Sequence, residues 1–137
     1  MDLTTLPFTL PHLREAYAKG VTPAEIIAEV HARIRRVDDP AIFIHLIDEA
    51  DALKDALSLG EPGPDKPLWG IPFVIKDNID AAGLPTTAAC PAFSYVAEAD
   101  SHVVGLLRKA GAILIGKTNL DQFATGLVGV RSPYGVP

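Results

Sequence analysis

Only one cysteine, Cys90, occurs in the sequence, so no disulfide can form within the chain. No second thiol exists for a Cys-x-x-Cys metal motif either. Basic residues are short: 12 Lys and Arg face 17 Asp and Glu, a net charge of −5. That balance excludes a nucleic-acid or anionic-membrane surface, which needs a basic excess to displace counterions. No apolar run approaches the roughly 18 residues of a membrane span. The Met1 end has no basic stretch leading into an apolar one, so no signal peptide is visible. A reducing cytoplasm is the expected setting. There is no internal repeat, and the 12 prolines and 11 glycines are not clustered into low-complexity sequence.

What remains is an ordinary globular composition, 48% hydrophobic and 21% charged. The charge is uneven along the chain. Residues 1–69 carry 12 acidic and 7 basic side chains, while residues 70–137 carry 5 of each. The first half therefore reads as solvated helix surface and the second as buried core. Leu10–Gly20 reads as a short helix closed by Gly20. Thr22-Pro23-Ala24-Glu25 is a capping box, and Ile26, Ile27, Val30, Ile34 and Val37 follow it as one apolar stripe. Residues 41–47 read as a strand at their start. Residues 48–59 read as a helix with Ala52, Leu53, Ala56 and Leu57 inward.

Residues 60–67 hold three prolines and two glycines and form the clearest loop. The expected division falls there: a helical arm and linker over 1–66, then the start of an α/β core over 67–137. In that core, Ile71–Ile75 and Ala112–Gly116 read as buried strands. Between them a helix capped by Asp100 or Ser101 runs to Lys109, with Val103, Val104, Leu106 and Leu107 inward. Helix, tight turn and apolar strand in that order indicate layered α/β architecture. The segment from Thr125 to Pro137 is Gly-rich and irregular and reads as cut short.

Lys76 is the leading candidate for chemistry. It ends the run Gly70-Ile71-Pro72-Phe73-Val74-Ile75 and precedes Asp77. A lysine at the end of a buried strand that projects inward has its charged form poorly solvated, and a neutral amine can act as a general base. The plainer alternative is a lysine snorkelling outward. Asp77 would oppose the shift if its carboxylate faced the amine. His12, His31, His45 and His102 have no spacing that resembles a metal site, so packing or surface roles are expected. Cys90 lacks a neighbouring His or helix start to activate it and reads as a small buried side chain. Lys117-Thr118-Asn119 superficially matches part of a phosphate loop, but no GxxxxGK[ST] surrounds it.

Gly70-Ile71-Pro72-Phe73-Val74-Ile75-Lys76-Asp77-Asn78-Ile79 resembles the lysine segment of the amidase signature family. Some forty residues on, the stretch from Gly111 to Ala124 resembles that family's next signature segment. The likeness covers nearly the whole chain. Residues 86–93 and 121–135 look most like the allophanate-hydrolysing branch. Amidotransferase A subunits usually carry Glu where Gln122 stands and differ around Cys90.

The resemblance implies the N-terminal part of the amidase-signature fold: α/β, helices packed around a mixed β-sheet, incomplete in this chain. It implies a Ser–cis-Ser–Lys mechanism with Lys76 as the base and no cofactor or metal. The substrate would be a small amide of the allophanate kind, with no nucleic acid or membrane partner; an oligomer stays open. The departure from the pattern lies in the serines. The family's Gly-Gly-Ser-Ser-Gly-Gly-type segment does not occur in these residues, and Ser58, Ser94, Ser101 and Ser132 stand in no such context. A chain so built is expected to be inactive alone. The alternatives are a non-catalytic binding module, or part of an amidotransferase A subunit or general amidase.

Overall fold

The computed structural model describes all 137 residues. Helix α1 (Leu10–Ala18) stops where Gly20 takes a left-handed conformation. Helix α2 (Pro23–Val37) starts at the capping box read from the sequence. The Thr22 hydroxyl accepts the Glu25 N–H, and the Glu25 carboxylate accepts the Thr22 N–H. Strand β1 (Phe43–Leu46) and helix α3 (Glu49–Ser58) follow. Then come β2 (Pro72–Lys76), the short strands β3 (Pro85–Thr86) and β4 (Tyr95–Val96), α4 (His102–Lys109) and β5 (Ile113–Thr118).

Three strands form the main sheet in the order β1-β5-β2. The central strand β5 runs antiparallel to β1 and parallel to β2, so the sheet is mixed. Every residue of β5 from Ile113 to Lys117 is buried. On one side Ile27 of α2 and Ala52 and Ala56 of α3 pack on Ile113 and Ile115. On the other, Val104 of α4 packs on Leu114, Ile75 and Ala81. Leu13, Ile26 and Ile71 join α1 to α2 and the entry of β2. The result is a helix–sheet–helix sandwich with β5 at its centre. β1 comes from the helical first half, so residues before 67 contribute a strand to the same sheet.

Gly116 allows β1 to lie against β5. A Cβ there would sit 2.6 Å from the His45 carbonyl oxygen and 3.0 Å from the Phe43 ring. The β2–β5 register skips Ile115, pairing Phe73 with Leu114 but Val74 with Gly116. This bulge is what brings Leu114 and Lys117, three residues apart, into the same layer.

Some expected inward residues are exposed. Val37 lies at the end of α2 and is 63% exposed; Leu57 is 76% exposed. Ala52, Leu53 and Ala56 fill the contact arc of α3, and Leu57 is turned about 100° beyond it. Val103 and Leu106 are likewise outside, since α4 contacts the sheet through Val104. No helix is long and apolar enough to cross a membrane.

Candidate active site

β2 and β5 are parallel, so their carboxyl ends, at Lys76 and Thr118, open on the same edge of the sheet. In open α/β sheets that edge is where ligands bind. Lys76 is register partner to Thr118, and its side chain is exposed and makes no hydrogen bond or ion pair. Of the two placements open to Lys76 from the sequence, the strand gives it the outward one. Ile75 points into the α4 layer, and the period-two alternation of a strand turns Lys76 the other way.

The buried lysine is Lys117. Its side chain has no exposed surface, and its amine makes two hydrogen bonds and one ion pair. Nζ lies 2.6 Å from the Pro85 carbonyl oxygen and 2.6 Å from Thr86 Oγ1. It also lies 3.3 Å from Asp77 Oδ1. Asp77 is equally buried. Its Oδ2 accepts the backbone N–H of Thr87 at 2.9 Å and a very short bond from the Thr87 hydroxyl. Its Oδ1 has no hydrogen bond of good geometry and faces only the Lys117 ammonium. Asp77 thus turns away from Lys76, and the opposition considered from sequence does not arise in this geometry.

The network continues outward. Thr86 donates to Asp80 Oδ1 at 2.8 Å, and Tyr95 donates to the same oxygen at 2.7 Å. The Tyr95 bond is the chief reason that the Asp80 carboxyl is held below its usual range; Thr86 and the Lys117 charge add to it, against partial burial. One chain of polar contacts so links β4, β3, the segment after β2, and β5.

Two loops close over this edge, and both hold strained backbone. Ala88 and Ala89 have φ of 52° and 56°, and Phe123 and Ala124 have 52° and 58°. Non-glycine residues in that region cost of order 1–3 kcal/mol each and persist where surroundings over-determine them. Here the loops hold each other. The Phe123 N–H donates to the Ala88 carbonyl at 2.9 Å, and Gln122 Nε2 donates to the Ala89 carbonyl at 3.1 Å. Buried Asp121 organises the next turn by accepting N–H bonds from Val128, Gly129 and Arg131. The Arg131 bond is the largest cause of its lowered pKa, followed by that of Gly129. Gly126 passes so close to the Asp121 carboxylate that any Cβ would overlap it.

The remaining candidates are accounted for locally. Cys90 is half-buried and unpaired. His12 shares a hydrogen bond with Thr9, while His31 is buried between α2 and its neighbours with Nε2 unpartnered. Burial is the main cause of the lowered His31 pKa. No group of His, Cys, Asp and Glu side chains is placed to hold a metal ion. Ser101 caps α4, Ser132 donates to Asn119, Ser58 donates to Asp55, and no serine hydrogen-bonds a lysine. The largest concavity, about 490 Å³, lies among Phe8, Leu13, Phe43 and Val74 with Arg33 as its one charged lining residue. It offers no set of converging polar groups and does not include Lys76.

Sequence reasoning missed the Asp77–Lys117 pair. The signal was present, because Lys117 also follows an apolar run, Ala112-Ile113-Leu114-Ile115-Gly116. The argument applied to Lys76 fits Lys117 equally well until strand register separates them.

Residues 25–137 match the family model described as Amidase. The urea amidolyase of Lachancea kluyveri is 60% identical over 100 residues, covering 72% of this chain and 5% of that protein. The A subunit of the glutamyl-tRNA(Gln) amidotransferase of Lawsonia intracellularis is 49% identical over 96 residues, covering 68% of this chain and 20% of its own length. Among solved structures, the allophanate hydrolase of Kluyveromyces lactis superimposes with a TM-score of 0.72 at 46% identity. That match covers 88% of this chain and 21% of the hydrolase. The chain thus spans only a small part of these relatives, from 5% to 21% of their length.

Proposed function

The chain belongs to the amidase family, and from that premise we propose that it is the lysine-bearing N-terminal portion of an allophanate-type amidase, with Lys76 as the base. One observation carries the reading. Lys76 is the only lysine at the carboxyl ends of the parallel strands whose amine is uncommitted, whereas the wholly buried Lys117 is hydrogen-bonded to the Pro85 carbonyl and the Thr86 hydroxyl and paired with Asp77. A proton acceptor must have a free lone pair within reach of its partner. Lys117 meets neither requirement.

In this reading the serines come from sequence outside the 137 residues. The Lys76 amine takes a proton from a serine in a cis peptide, which takes one from the serine that attacks the amide carbonyl. Backbone N–H groups beside that nucleophile hold the oxyanion, an effect worth several kcal/mol in acyl transfer. The proton returns to the departing ammonia, and water then releases the acyl group. No metal or cofactor enters these steps. The setting proposed is cytoplasmic, and these residues alone are inactive.

The preference for allophanate rests on the higher identity to urea amidolyase and on Gln122, whose amide donates to Ala89. A Glu there would place a carboxylate against that carbonyl. The second reading, an amidotransferase A subunit, is favoured by similarity to such a protein over 92% of this chain.

The test is a complete amidase polypeptide in which these 137 residues replace the matching segment of the Kluyveromyces lactis allophanate hydrolase. Ammonia release is measured from allophanate, glutamine and simple amides. Allophanate turnover that falls about 10²–10⁴-fold in Lys76→Ala is the expected result. Turnover of glutamine in preference supports the second reading. Unchanged turnover in Lys76→Ala removes the base assignment.

A further inference from the structure

We propose that the buried Asp77–Lys117 pair is a positioning device for Lys76, fixing the backbone beside it and presenting it with a charge-neutral neighbour. The inference rests on the reading of Lys76 as the base.

Lys76 has a long, unsupported side chain on an edge strand whose only sheet partner is β5. Its amine can be held in a productive place only if its backbone is fixed. The pair brackets it. Asp77 is the next residue along the chain, and Lys117 precedes Thr118, the residue opposite Lys76. The Asp77 N–H donates to the Thr118 carbonyl at 3.1 Å, and the Asp77 carbonyl accepts from Ala88 at 3.3 Å. The Lys76 carbonyl accepts from Ile79 at 3.0 Å, closing the turn. From β5, Lys117 then grips this segment at Asp77, Pro85 and Thr86.

Core stability alone does not account for such a pair. A buried ion pair is often no more stabilising than apolar residues of similar volume. An apolar side chain at 117 would fill the space but could not hold the Pro85 carbonyl or the Thr86 hydroxyl. What the pair adds is a defined distance between β5 and the 77–86 segment, and therefore a defined place for Lys76.

It also sets the local charge. Each member neutralises the other, so removing one leaves an uncompensated buried charge beside the base. The other ionisable groups at this edge are Asp80 after β2, the free thiol of Cys90, Tyr95 of β4, and Asp121 and Arg131 after β5. Of these, Asp80 is tied to Thr86 and Tyr95, and Asp121 to backbone N–H groups. Without Lys117, the Asp77 anion favours the protonated Lys76 amine. Without the Asp77 charge, the Lys117 cation disfavours it.

The experiment uses the complete amidase polypeptide described above and reads kcat, KM and the pH profile of allophanate hydrolysis. Asp77→Asn moves the limb that reports the lysine to lower pH, and Lys117→Met moves it to higher pH, each by about half a unit or more. The double variant Asp77→Asn with Lys117→Met restores the limb, because no unpaired charge remains. It still lowers kcat about tenfold or more, with KM within about twofold, since misplacing a reacting group by an ångström can cost 10² in rate. Should a single variant not fold, the double variant alone decides. Wild-type kcat in the double variant, or kcat losses that only track the folded fraction with an unmoved pH limb, would overturn the proposal. Lys76→Ala with full activity defeats the base assignment instead; inactive Lys76→Ala beside unaffected pair variants defeats only the positioning role.

Discussion

At the scale of single residues, two lysines in similar sequence settings have opposite fates. Lys76 and Lys117 both end apolar runs, yet one is exposed and the other wholly buried. Alternation along β2 and the bulge at Ile115 of β5 make the difference, and neither is written in a lysine's immediate neighbours. Thr86 sits where the buried chain of contacts can be cut cleanly. Its hydroxyl accepts from Lys117 and donates to Asp80, so both partners lose a bond when it is removed. Thr86→Val in the complete polypeptide should therefore lower stability by about 1–3 kcal/mol, while Thr86→Ser should stay close to wild type. Denaturant unfolding at neutral pH measures both. Equal stabilities would mean that the Thr86 hydroxyl is dispensable.

At the scale of elements, the junctions matter more than the helices. Helix α2 declares itself by its capping box, but the contact between β1 and β5 depends on a missing side chain at Gly116. Gly116→Ala should force the strands apart and cost about 1–3 kcal/mol through overpacking. Amide exchange would report it as lost protection at Asn119 and Ile47, whose N–H groups bond across that seam. The turn after β5 depends on Asp121 in a different way. Its carboxylate binds three backbone N–H groups, chiefly that of Arg131, and its folded pKa lies below the ordinary 3.8. A lowered carboxylate pKa gives stability that is present above the unfolded value, near 4, and lost as pH falls through the folded one. Protection of the Val128, Gly129 and Arg131 amides should hold from neutral pH to about 4 and fade below it. In Asp121→Asn the same amides should be poorly protected throughout.

At the scale of the whole molecule, the 137 residues form a core with unfinished borders. Both outer strands of the sheet, β1 and β2, have one unpaired edge. Val74, Val103, Leu106, Phe123 and Leu127 are about half exposed or more. Unpaired edges and apolar patches of this kind promote association. The isolated chain is expected to bind an apolar dye, to self-associate, and to lack a sharp monomeric melt. Addition of the remaining amidase region should suppress dye binding. A dye-silent monomer with a cooperative melt would show that these surfaces need no cover.

How much of this was legible beforehand follows from the range of the forces. The capping box, the Gly20 stop, the proline-rich loop and the strand–helix–strand order are local, set by backbone preferences and short-range periodicity, and they could be read directly. The family likeness was equally legible, because it lies in two contiguous segments around Lys76 and Lys117. Inward and outward assignments failed at Val37, Leu57, Val103 and Leu106, where an apolar arc is wider than the surface available to cover it. Sequence by itself thus determined the four helices, the three strands of the main sheet and their order, and it put Lys76 forward as a candidate base, while the short strands β3 and β4 went unread. Only the tertiary structure decided that Asp77 faces Lys117 rather than Lys76, because strand register and a one-residue bulge join groups 40 positions apart.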